Sequence, residues 1–191
     1  MQTEQGALLP RVARAAIARA LATPDPANAR EVIAEDMLLF KEHGACFVTL
    51  TQKGMLRGCI GTLQACRSLL VDVQYNAISA AIHDSRFLPV TLEEFPGIAV
   101  EVSVLSTPQP LSFGSQSEVL TLLRPGVDGL VFEYGSHRST FLPQVWENLP
   151  QPKQFLAMLK QKAGLPANFW AEDIRLSRYH VTKWHEIVRE Q

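Results

Sequence analysis

From Ile98 to Leu105 the chain alternates without a break. Ile98, Val100, Val102 and Val104 take one parity, and Ala99, Glu101, Ser103 and Leu105 take the other. A period of two puts the first set on one face of a strand. Four β-branched side chains on that face require an apolar layer packed against it. The chain must therefore build a sheet covered on at least one side. Glu101 falls on the opposite face, either as a solvated residue or as a carboxylate lining a cleft.

The rest of the pattern predicts what surrounds that strand. Residues 45–51 are β-branched and aromatic enough for a second strand. Gln52-Lys53-Gly54 suits a three-residue hairpin connection with a left-handed glycine, and residues 55–61 return. Leu70, Val73, Ala77 and Ala81 mark the core face of a helix over residues 69–82. Near the start, Leu9, Val12, Ala13, Ala16 and Ala20 form an apolar stripe. Arg11, Arg14 and Arg19 alongside it give the stretch the look of a presequence, but a docked helix with a solvated arginine face accounts for both sets. Pro24, Pro26 and Asn28 end this helix, and a short second one is expected over residues 34–42, stopped by Gly44.

In the second half, Ser117 is a candidate N-cap for a helix to Leu123. Residues 130–134 and 138–142 read as paired strands around Gly135, and Pro143 opens a helical turn. Residues 153–163 read as a helix closed by Gly164 and Pro166, and residues 174–184 as one last strand. The Pro- and Gly-bearing stretch 107–116 marks a boundary between two lobes of one domain spanning 1–191. Clustered hairpins and helices predict an α+β fold with a largely antiparallel sheet rather than a doubly wound parallel one.

Charge and cysteine usage narrow the function classes. Eighteen Lys and Arg against nineteen Asp and Glu leave a net charge of −1, with no basic stripe to hold a nucleic acid. No apolar run reaches the roughly 18 residues needed to cross a bilayer. Cys46, Cys59 and Cys66 form no CxxC pair and no secreted disulfide framework, which points to a reducing, cytoplasmic setting. The five histidines show no HExxH spacing, so no metal site is predicted.

Leu56-Arg57-Gly58-Cys59-Ile60-Gly61-Thr62 carries the densest chemistry. In an extended strand Arg57 and Cys59 share a face, with Gly58 and Gly61 leaving space beside them. A guanidinium near a thiol favours the thiolate, by roughly 0.7 kcal/mol at about 6 Å in water and about 2.8 at an effective dielectric of 20. Against this stands the ordinary role of cysteine as a small buried hydrophobe, with the glycines permitting a bulge or close packing. Asp84, after the helix, meets an unfavourable dipole that a salt bridge to Arg86 or Arg57 would repay. Asn76 lies off the apolar stripe of the same helix. A nucleophile with neither a base nor an oxyanion donor evident in sequence is half a mechanism.

These residues carry a resemblance. The chain resembles the AMMECR domain family, known in prokaryotes as protein A of the AmmeMemoRadiSam system. The matching segments are FVTL at 47–50, LRGCIGT at 56–62, NAISAA at 76–81, DSRF at 84–87, EVSVL at 101–105, GVDGL at 126–130, FLPQV at 141–145 and KAGL at 162–165. They follow the family's order across residues 7–184. The resemblance implies an α+β unit of two lobes around a cleft, with LRGCIG as the functional motif. It implies partnership with a Memo-type protein, itself similar to non-haem-iron extradiol dioxygenases, and with a radical SAM protein. It names no reaction and no cofactor for this chain. By position, Arg57, Gly58, Cys59, Gly61, Thr62, Asp84 and Arg86 match the family pattern, whereas His83 lies outside it. The leading expectation is an accessory component acting through the motif. The alternative is an autonomous enzyme using Cys59 as nucleophile or substrate-holding thiol. Arg57 would then steady the thiolate or bind an anion, Asp84 and Arg86 would orient the site, and Glu101 would line it. A nucleic-acid-binding module is the least favoured.

Overall fold

The structure, a computed structural model, describes residues 6–21 and 40–186. The expected break at Pro24, Pro26 and Asn28 lies outside the described residues, as does most of the helix expected over 34–42. Gly44, read as a helix stop, is instead in a strand. The chain divides into two units, one running to Leu105 and resuming at Thr182, the other spanning Ser106–Val181.

The first unit holds α1 (Leu9–Ala20), β1 (His43–Gln52), β2 (Met55–Gly61), β3 (Arg67–Ser68), α2 (Leu69–Ile82), β4 (Ile98–Leu105) and the last strand, β9 (Val181–His185). Its sheet runs in the order β2-β1-β4-β9, with β3 paired to the start of β1. Val48 pairs with Val102 and Leu50 with Val100. All four are buried on the face that also carries α1 and α2, each contributing roughly 1.5–3 kcal/mol by leaving water. Leu70, Val73, Ala77 and Ala81 of α2 are buried, as their spacing predicts.

Two local readings change. Gln52 pairs with Met55, so the β1–β2 connection is the two residues Lys53 and Gly54. Both have positive φ, 50° and 77°, the geometry that matches strand twist in a tight hairpin. On α1, Leu9, Val12, Ala13 and Ala16 are buried but Ala20 is exposed. Arg14 is not solvated: it pairs with Glu186 and lies over the Phe95 ring.

The second unit holds β5 (Gln109–Pro110), α3 (Gln116–Leu122), β6 (Gly129–Tyr134), β7 (His137–Phe141), α4 (Pro152–Lys162) and β8 (Arg175–Tyr179). Its sheet order is β5-β8-β6-β7. Ser115, rather than Ser117, caps α3 by accepting from Glu118 N at 3.2 Å. Phe155 of α4 stacks on Trp146 at 3.7 Å over a core that includes Leu130, Phe132, Leu159 and Leu176. The expected single strand over 174–184 is two strands, divided at His180. Tyr179 is anchored against Gly129, where its ring fills the space of a missing side chain, while Trp184 packs on the first core. An unbroken apolar–polar run does not reveal which sheet each of its ends joins. The two antiparallel sheets and packed helices make an α+β fold. Among the described residues no helix is long and apolar enough to cross a membrane.

Candidate functional site

LRGCIGT occupies β2 and the residue after it, on the outer strand of the first sheet. Its glycines are packing requirements. A Cβ on Gly58 would stand 2.2 Å from the Ala80 carbonyl oxygen of α2, and one on Gly61 would stand 2.2 Å from the Phe47 ring. Any side chain at Gly58 would push the helix off the sheet.

Thr62 turns inward. Its hydroxyl donates to Asp72 Oδ2 at 2.5 Å, and the same oxygen accepts from Cys46 N at 2.9 Å and Asn76 Nδ2 at 3.0 Å. Asp72 Oδ1 lies 3.0 Å from Arg67 Nε, an ion pair not aligned as a hydrogen bond. Asn76 also donates to the Cys46 carbonyl at 3.0 Å, so the polar side of α2 is bolted to β1. Burial pushes the Cys46 thiol far above its ordinary pKa and keeps it protonated. Asp72 was missed from sequence, although an Asp and an Asn four apart on a core-facing helix are a legible sign of a buried polar pair.

Asp84 and Arg86 act on the free edge of β2. Asp84 accepts from Cys59 N at 2.8 Å, from Arg86 N at 3.1 Å, and from Arg86 Nε and Nη2 at 2.9 and 2.7 Å. Arg86 Nη2 in turn donates to the Cys59 carbonyl at 3.0 Å. The pair thus offers the Cys59 peptide one acceptor and one donor, as a neighbouring strand would. The Arg86 guanidinium, helped by the two backbone N–H groups, holds the Asp84 carboxyl well below the usual carboxylate range. The same bonds raise the pKa of Arg86. This pairing outweighs the unfavourable position of Asp84 after α2.

Arg57 is engaged elsewhere than at the thiol. Its Nε and Nη2 meet the two oxygens of Glu94 at 3.2 and 3.0 Å, and Nη1 donates to the Leu88 carbonyl at 2.9 Å. It staples the segment after α2 to β2 and lowers the Glu94 pKa by donating to its carboxylate. The guanidinium at the Cys59 peptide is that of Arg86.

The Cys59 side chain has none of these duties. Gly58 faces α2, so Cys59 points to the other face of the sheet, where it is half-buried. Its sulfur lies 3.4 Å from Thr49 Oγ1. Thr49 is in register with Cys59 on one side and with Glu101 on the other. Glu101 accepts from Ser103 Oγ at 3.1 Å and meets Lys183 Nζ at 3.2 Å and His185 Nδ1 at 3.4 Å. The sequence reading gave no site role to Thr49, Lys183 or His185. Residues 183 and 185 flank core-packed Trp184 with period two, which puts them on this face once β9 joins the sheet. Among the described residues no group of three or more His, Cys, Asp or Glu side chains could hold a metal ion.

Two antiparallel sheets with packed helices, divided between two units, place the chain in the α+β class. The chain belongs to the AMMECR1 family, which it matches over residues 7–184. It is 38% identical to protein MJ0810 of Methanocaldococcus jannaschii, over 96% of this chain and 91% of that one. Protein PF1979 of Pyrococcus furiosus is 37% identical over 97% and 90% of the two chains. The crystal structure of the Pyrococcus horikoshii protein PH0010, described as uncharacterized, has the same fold. It matches with a TM-score of 0.78 and 34% identity, over 98% of this chain and 94% of that one.

Proposed function

We propose that the protein is the A component of an AmmeMemoRadiSam system, working in the cytoplasm with a Memo-type protein and a radical SAM protein. It acts through the sheet face that carries Cys59. The observation behind this reading is the division of labour inside LRGCIGT. Gly58, Gly61 and Thr62 set packing, and Arg57 holds the following segment. The backbone of Cys59 is clamped, and its half-buried sulfur is left on the sheet face away from α2. The hydrogen-bond neighbour of that sulfur is a hydroxyl and not a base, which suits a thiol that holds or receives a group while another component does the bond-breaking. Three free cysteines suit a reducing compartment.

A second reading, an autonomous enzyme with Cys59 as nucleophile, draws on Arg86 at the Cys59 carbonyl and on the Glu101–His185 pair of the same face. Purified chain is mixed with the Memo-type and radical SAM proteins of the same organism, and association is read by sedimentation. The accessory reading expects Cys59→Ser to keep the association and lose turnover of the assembled system. Failure to associate with either protein at micromolar concentration overturns it. Turnover by the isolated chain favours the enzyme.

A further inference from the structure

The face of the first sheet opposite α1 and α2 carries a row of polar groups across all four main strands. In strand order they are Cys59, Thr49, Glu101 and then Lys183 with His185. At about 4.8 Å per strand the row spans roughly 14 Å. The Glu101 side chain is only 17% exposed, whereas Lys183 and His185 are 49% and 67% exposed. A largely buried carboxylate shared by an ammonium, an imidazole and a serine hydroxyl is more than a solvated cross-strand pair requires. It fixes the Lys183 ammonium on the sheet face, with no second acceptor for it among the described residues, and it turns His185 so that Nε2 points away from the carboxylate.

We propose that this row is one binding site for a small elongated anion. The carboxylate or phosphate of the ligand sits on Lys183, a ligand hydroxyl or amine donates to His185 Nε2, and the far end lies against the Cys59 sulfur. Glu101 is the positioning residue. The inference rests on the Cys59 face being the functional one, and it adds the ligand's charge and length.

The test uses the full chain and two maleimides of equal length, maleimidohexanoate and its neutral amide. Labelling of each cysteine is followed by peptide mass spectrometry, with exposed Cys66 as reference. The acid should label Cys59 about twofold faster than the amide, the pull of Lys183 at about 4 Å in water being partly cancelled by the Glu101 carboxylate beside it. Lys183→Gln should return the acid-to-amide ratio at Cys59 to that seen at Cys66. Equal ratios at the two cysteines in the wild type overturn the anion site while leaving the Cys59 face intact. So does a raised ratio that Lys183→Gln does not lower. A Cys59 that neither reagent labels in the folded protein overturns the functional reading of the face, and the inference falls with it.

Discussion

Replacing Asp84 by Ala removes the acceptor that seals the edge of β2. The Cys59 N–H then loses its 2.8 Å partner, and Arg86 loses three bonds. An unsatisfied, partly buried donor costs about 1–3 kcal/mol. Arg86 adds little, because its side chain is 54% exposed and rehydrates. The expected loss is about 2 kcal/mol. For a chain of this size that is a fall of about 4–8 °C in Tm. Thermal unfolding gives the total, and amide hydrogen exchange gives the place. Protection at the Cys59 amide should drop by up to about 30-fold, the factor equivalent to 2 kcal/mol. The Val102 amide, inside β4 and protected through global unfolding, should fall only by the factor that the measured loss of global stability gives, and any further loss at Cys59 is local. An Asp84→Ala protein whose Cys59 amide stays as protected as in the wild type, or whose Tm moves by less than about 1 °C, would refute the edge-seal argument.

Acid should expose the same contact. The Asp84 carboxyl is held below its unfolded value of about 3.9, so its contribution is fully present above that value and lost as pH falls through the lower folded one. Wild-type stability measured by urea titration should therefore decline below pH 4 more steeply than that of Asp84→Asn, and parallel declines would contradict this. Gly58→Ala should destabilise by about 1–3 kcal/mol, since its Cβ meets helix backbone and not a yielding side chain; an unchanged denaturation midpoint would show that α2 can retreat freely. Arg57→Ala and Glu94→Ala should each destabilise by about 1 kcal/mol, since each breaks the shared pair and frees one backbone group, the Leu88 carbonyl or the Thr91 N–H. A denaturation midpoint unchanged in both variants would mean that the staple contributes nothing.

Much of this fold was legible because its signals are local. The alternation from Ile98 to Val104 gave the central strand its face, and the spacing of Leu70, Val73, Ala77 and Ala81 gave α2 its own. What was not legible depends on partners distant in sequence. Arg57 lies beside Cys59 in the chain, yet its guanidinium is taken by Glu94, 37 residues on. Arg86 reaches the Cys59 carbonyl from 27 residues away. The last strand reads as continuous because each half is properly patterned, and the handover at His180 depends on which sheet has an open edge. That handover brings Lys183 and His185 to Glu101. The motif was found as a unit from its composition, but its roles separate only once Ala80, Phe47 and Asp72 are seen around it.

The central claim is that Cys59 is the side chain of LRGCIGT left for chemistry. Its most direct test is alkylation of the folded protein by iodoacetamide, read peptide by peptide below the unfolding transition. Cys59 should be labelled while Cys46, fully buried with its thiol held protonated, stays silent until the protein unfolds. If Cys59 is as silent as Cys46 and both appear together on unfolding, the thiol is architectural and the account of the face is wrong.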